Sequence, residues 1–198
     1  MKTYLALGDS YTIGESVAPA QRWCNQLVDL MLRKGIQMAY PDIIAKTGWA
    51  TAELLEGIAQ ATITKTYDLV SLLIGVNNQY RGQSLEQYKE EFEELLQISC
   101  RLANNKNERV LVLSIPDWGV SPFAKEQDST KITNQIIAFN KVAEQICLVN
   151  QVAFLDILPL SRLAINIPEM IAEDELHFSE KMYALWAKEA SFTTQQML

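Results

Sequence analysis

Histidine is nearly absent: the 198 residues contain one, His177. A lone imidazole cannot build a multi-histidine zinc site, so a metal centre of that kind is not expected. Any histidine-dependent chemistry must run through that residue. Cysteine is also sparse. Cys24, Cys100 and Cys147 are odd in number, far apart, and each falls in a helix-like segment. That pattern suits neither a disulfide framework nor a metal knuckle, and reads as small, mostly buried side chains. Positive charge is short too: 17 Lys+Arg against 24 Asp+Glu give a formal net charge of -7. With no basic cluster, the chain is a poor fit to nucleic acid or to an anionic membrane surface. The longest apolar run, residues 69–76 with Ser71 inside it, is far too short to span a bilayer. If Met1 is the native start, the N-terminus enters a strand-like segment without the apolar region and cleavage site of a signal peptide. These absences lead us to expect a cytoplasmic protein with no integral membrane association, and they leave its oligomeric state open.

What is present is an ordinary globular composition, 48% apolar and 21% charged. A chain of this length can bury a sizeable core. Tyr4-Leu5-Ala6-Leu7 reads as a short strand ending at Gly8-Asp9-Ser10. Trp23, Leu27, Leu30 and Met31 recur at helical spacing before Gly35. A second strand at Ile43-Ile44-Ala45 ends near Gly48, and Leu54, Leu55, Ile58 and Ala61 mark the next helix. Residues 69–74 form a third strand, ending at Gly75-Val76-Asn77-Asn78. Leu85, Tyr88, Phe92, Leu95, Leu96, Ser99 and Leu102 trace one helix face, and the acidic residues around them read as a solvated face. Further strands at residues 110–113 and 152–155 flank a helix carrying Ile132, Ile136, Phe139, Ala143, Ile146 and Cys147. Met182, Leu185, Trp186 and Ala190 define a closing helix.

Strands and helices alternate five times, and the strands are continuous in hydrophobicity. That is the pattern of a parallel sheet covered on both faces. No linker, repeat or low-complexity stretch interrupts it, so residues 1–198 are expected to form a single domain. In such sheets ligands bind at the carboxyl ends of the strands. Ser10, Gly48 and Asn77 follow the first three strands, and Asp174 and His177 precede the last helix. These residue types suit acyl transfer. A serine needs a neighbouring base, an imidazole supplies it, and a carboxylate on the other ring nitrogen fixes the tautomer. Asp174 lies three residues before His177, and that spacing favours it over Glu173 and Glu175. The backbone N–H groups of Ser10 and Gly48 and the Asn77 amide offer donors for an oxyanion. Asp9 reads as a brace for the turn.

Taken in order, Gly8-Asp9-Ser10, Gly48, Gly75-Val76-Asn77-Asn78 and Asp174-Glu175-Leu176-His177 resemble the four blocks of the SGNH hydrolases, the GDSL esterase/lipase family. The resemblance spans nearly the whole chain. It implies a flavodoxin-like three-layer α/β/α sandwich around a five-stranded parallel sheet. It also implies a cofactor-free serine hydrolase acting through an acyl-enzyme on carboxylic esters or thioesters of small or lipid-like acyl groups, with Ser10 as nucleophile, His177 as base and Asp174 as its orienter. Ser10, Gly48 and Asn77 would form the oxyanion hole. Two positions depart from the pattern: Tyr11 stands where Leu is frequent, and Asn78 where Asp is common. Neither removes a reacting group. Trp49, Trp118 and Phe178 lie beside strand ends or motifs and are candidates for the walls of a substrate pocket. A carbohydrate O-deacetylase is the nearest alternative, and a non-enzymatic flavodoxin-like binding module the alternative from another class.

Overall fold

The computed structural model describes residues 1–198. The chain opens with β1 (Tyr4–Gly8), α1 (Ser10–Ile13), α2 (Trp23–Arg33), β2 (Asp42–Ala45), α3 (Thr51–Gln60) and β3 (Leu69–Leu73). It continues with α4 (Val76–Tyr80), α5 (Leu85–Leu102), β4 (Val110–Leu113), α6 (Ser129–Val149), β5 (Ala153–Leu155), α7 (Leu158–Ser161) and α8 (Glu180–Met197). Every strand pairing is parallel, in the order β2-β1-β3-β4-β5. That is the flavodoxin-like winding, whose switch point lies between β1 and β3. α2 packs on α8, while α3, α5 and α6 pack side by side in a second group. The expected five-stranded α/β fold is therefore the observed one.

Hydrophobic pattern accounts for the layers. β1, β3 and β4 are buried along their whole length, whereas the edge strands β2 and β5 are only partly covered. α2 turns Trp23, Cys24, Leu27, Val28 and Met31 inward. α5 starts at Ser84, whose hydroxyl accepts the Gln87 N–H at 3.1 Å, and buries Tyr88, Phe92, Leu95, Leu96 and Ser99. The acidic residues of α5 are not all solvated: Glu91 is half-buried and accepts the Thr51 hydroxyl. Cys24 and Cys147 are buried, and burial pushes both thiols up to about 12. The buried apolar side chains form one cluster of 48 residues. No helix is long and apolar enough to cross a membrane.

The short elements lay beneath the resolution of a periodic pattern. α1, α4 and α7 have only 4 or 5 residues. A single helical turn has no repeating apolar stripe to reveal it. α1 and α4 carry Ser10 and Asn77. The sheet register brings them together: Gly8 of β1 pairs with Ala45 of β2 and Leu73 of β3, so all three strands end at one rim.

Candidate active site

Gly8 lets β1 turn into α1. A Cβ there would stand 2.2 Å from Thr12 Oγ1 and 2.3 Å from the Leu73 carbonyl oxygen, so only glycine fits. Asp9 then caps α1, its Oδ1 accepting the Tyr11 N–H at 3.0 Å. Asp9 is fully buried, its Oδ2 has no partner, and burial pushes its carboxyl up to about 7 against the opposing Tyr11 hydrogen bond. Ser10 is the first residue of α1 and 5% exposed. The first N–H groups of a helix have no intrahelical partner, and the Ser10 N–H is one of them.

His177 comes from the loop before α8 and is 8% exposed. Its Nδ1 lies 2.5 Å from Asp174 Oδ2. Asp174 Oδ1 accepts the backbone N–H groups of Leu176 and His177 at 3.0 and 2.9 Å. Ser16 donates its hydroxyl to Oδ2 at 2.6 Å. Partial burial works to raise the Asp174 carboxyl. The hydrogen bonds from Ser16, the His177 ring and the two backbone N–H groups outweigh it and hold the group down at about 2. Asp174, not Glu173 or Glu175, therefore engages the ring, which leaves Nε2 as the free nitrogen. The His177 ring also meets the Tyr11 ring edge-on at 5.6 Å.

Gly48 adopts φ +84°, a conformation open to glycine at low cost, with nothing near the space a Cβ would fill. Its N–H takes part in no hydrogen bond within the protein. One short helix holds its loop. Asn77 Nδ2 donates to the Trp49 carbonyl at 2.8 Å, and Asn78 Oδ1 accepts the Thr51 N–H at 3.2 Å. Arg81 donates to the Gly48 carbonyl and pairs with Glu53 at 2.6 Å, while Glu53 also accepts the Ala50 N–H at 2.7 Å. On the other side Thr47 donates its hydroxyl to Glu15. Glu15 and Ser16 are adjacent, so the turn after α1 ties both the Gly48 loop and Asp174 to the serine helix.

Ser10, Gly48, Asn77 and His177 line one cavity of about 190 Å³, with Thr47, Val76, Tyr80, Phe123, Leu176 and Tyr11. Asp174 stands behind His177. Of the three aromatic residues expected at the pocket, Trp118 lines it. Trp49 does not: its ring covers Gly57 of α3, where a Cβ would meet Trp49 Cη2 at 2.3 Å. Its backbone carbonyl is what serves the site. Phe178 does not either. It is fully buried between the rings of Tyr11 and Trp186, at 5.8 and 5.3 Å. The sequence reading missed Arg81, Ser16, Tyr80, Phe123 and Leu176. Arg81 caps α4 four residues after Asn77, one turn further along, a spacing that signals a shared face; Ser16 has no comparable local signal. No group of three or more His, Cys, Asp or Glu side chains gathers in the fold as a metal site would require.

No curated protein sequence matches the chain. Among solved structures it is similar to TesA, at 17% identity with 100% of each chain covered and a TM-score of 0.77. A lipase/acylhydrolase from Enterococcus faecalis has 20% identity, 100% of this chain and 96% of that one covered, and a TM-score of 0.75. Axe2, an acetylxylan esterase from Geobacillus stearothermophilus, has 17% identity, 98% and 94% coverage, and a TM-score of 0.76. Identities this low establish a shared fold. The family is established separately, by the model of the GDSL-like Lipase/Acylhydrolase family, which matches residues 6–185. The chain belongs to that family and is an SGNH-type ester hydrolase.

Proposed function

We propose that the protein is a serine esterase that hydrolyses carboxylic esters or thioesters of short to medium acyl groups through an acyl-enzyme. One observation carries this reading: the Asp174-backed imidazole of His177 opens on the same cavity as Ser10, Gly48 and Asn77. Ser10 Oγ attacks the acyl carbon while His177 Nε2 takes its proton. The carbonyl oxygen becomes an oxyanion, met by the Ser10 and Gly48 N–H groups and the second Asn77 amide hydrogen. His177 then protonates the departing alcohol or thiol. A water enters, gives a proton to Nε2 and attacks the acyl carbon; the Oγ–acyl bond breaks, His177 returns that proton to Ser10 Oγ, and the acid leaves. Asp174 stays ionised throughout, because its hydrogen bonds hold it far below neutrality.

Size and lining bear on the substrate. A dry cavity of about 150 Å³ holds a benzene molecule, so about 190 Å³ bounded by Val76, Trp118, Phe123 and Leu176 suits an acyl chain of comparable carbon count. Tyr80 and Phe123 are 56% and 45% exposed at the cavity walls. This apolar rim favours an acyl ester over the alternative of a sugar O-acetyl group. The test is a fluorophosphonate probe, with the adduct mapped by peptide mass spectrometry. A single adduct on Ser10, lost in Ser10→Ala, is expected. No adduct on Ser10, or equal labelling of the variant, overturns the assignment.

A further inference from the structure

Trp118 sits between two clefts. Trp118 and Tyr80 line the 190 Å³ cavity of the site. The same two residues line a second cleft of about 320 Å³, whose other walls include Gln79, Gln127, Lys131 and Gln135. Trp118 is 3% exposed, so the ring fills the boundary between them. Gln79 and Gln135 are absent from the walls of the first cavity.

The backbone that carries Trp118 is fixed from several directions. Asp117 is fully buried. Its Oδ1 accepts the Gly119 N–H at 3.1 Å, and its Oδ2 accepts the Thr133 hydroxyl at 2.7 Å and the Arg162 Nε at 3.3 Å. Its own N–H donates to Ser161 Oγ at 2.9 Å. With the main chain held, the remaining freedom of Trp118 is rotation of its side chain. One polar contact opposes that rotation. Trp118 Nε1 donates to Gln79 Oε1 at 2.7 Å, and Gln79 Nε2 donates to Gln135 Oε1 on α6 at 2.9 Å. Gln79 is 6% exposed, so a rotated Trp118 would leave a buried acceptor unpaired. Tyr80 and Phe123, at 5.4 and 6.2 Å, flank the ring without supplying a hydrogen bond.

We propose that Gln79 is the specificity-positioning residue of this enzyme: relayed to Gln135, it pins Trp118 as the end wall of the acyl cavity and so sets the longest acyl chain accepted. The inference rests on the esterase reading above. Releasing the pin lets the indole swing and joins the first cavity to the second cleft. Gln79 acts only through Trp118, so its effect falls on chain-length preference and not on the chemical step.

The experiment measures kcat/KM for p-nitrophenyl esters from acetate to dodecanoate. In Gln79→Met, which keeps the length of the side chain but removes the acceptor, the decanoate-to-butyrate ratio should rise about tenfold, the scale of discrimination a hydrophobic wall provides. Trp118→Ala should raise it at least as much. The double variant should match Trp118→Ala alone, since both changes remove the same wall. Gln79→Glu keeps an oxygen acceptor and should return the profile toward the wild type. An unchanged ratio in an active Gln79→Met enzyme, or additive effects in the double variant, would overturn the proposal. Should Gln79→Met fail to fold, Gln135→Ala, which weakens the relay from a half-buried position, must show a smaller shift in the same direction, and no shift there overturns it equally. Failure of the esterase reading looks different: the wild type would turn over no member of the series.

Discussion

On the proposed acid–base side of the site, Asp174 and His177 lie in one turn of chain and grip each other through a ring contact and a backbone hydrogen bond. On the proposed oxyanion side, Gly48 and Asn77 come from different strand ends, and the Gly48 loop is fixed by Asn77 and Asn78 of α4 and by Arg81 at its C-terminal end. The first half is built locally and charged; the second is built from distant segments and offers mainly backbone dipoles. A local charged contact concentrates its effect in one pair of residues. A distributed clamp spreads the same task over several hydrogen bonds, each of which carries less.

The sharpest way to break this contrast is Asp174→Asn. The amide keeps the size of the side chain but presents the wrong partner to Nδ1 and removes the charge that steadies the imidazolium. kcat should fall by roughly 10²–10⁴, with KM changed far less. Steady-state kinetics on a short p-nitrophenyl ester checks it. A loss under about tenfold would show that the other contacts of the ring hold the tautomer on their own, and would erase the asymmetry between the two halves.

Arg81→Met probes the other half. Arg81 is substantially exposed, and water can replace its bond to the Gly48 carbonyl. Asn77 and Asn78 still hold the loop. kcat should fall by only about tenfold, through looser placement of the Gly48 N–H. The change should also weaken a transition-state-like boronate inhibitor by a similar factor, because both report the oxyanion site. A drop as deep as that of Asp174→Asn would mean that the clamp is a single bond and not a network.

The same contrast explains what could be read from the sequence. Asp174 and His177 are three residues apart and Asp9 is the residue before Ser10, so their contacts follow from local geometry. The five long helices follow from apolar periodicity because each is long enough to repeat its pattern, and the five strands follow from short continuous apolar runs that end at turn residues. Ser10, Gly48 and Asn77 meet at one cavity because strand ends in a parallel sheet share a rim. The supports of the site were not. Arg81 reaching Gly48, Ser16 reaching Asp174 and Gln79 reaching Trp118 are side-chain contacts between segments whose relative placement exists only after the sheet has formed. Trp49 and Phe178 failed as wall residues for a related reason. A strand end gives the place of the backbone, while the direction of a large ring depends on which cavity beneath it is vacant: Gly57 receives Trp49, and Tyr11 with Trp186 receives Phe178.

A third prediction concerns two carboxyls of the site with opposite shifts. Asp174 is held down at about 2 by hydrogen bonds, and Asp9 is pushed up to about 7 by burial. The unfolded chain titrates both near 3.9, about the value of a free aspartate. For Asp9 the folded state binds the proton more tightly than the unfolded state. Its contribution to stability is therefore complete below about pH 4 and is lost as pH rises through about 7. The neighbouring Tyr11, Tyr88 and Tyr183 hydroxyls are pushed upward by burial and stay neutral over this range. Asp9→Asn keeps an oxygen for the Tyr11 N–H and removes the titration. Wild type minus variant, measured by urea unfolding, should thus decline between about pH 4 and pH 8, while kcat changes by no more than about threefold because the cap survives. Asp174 gives the opposite sign: its contribution is present above about pH 4 and disappears as pH falls toward 2. A difference that stays constant across the neutral range would mean that Asp9 is ionised in the fold and that its unpartnered Oδ2 is stabilised by something other than protonation.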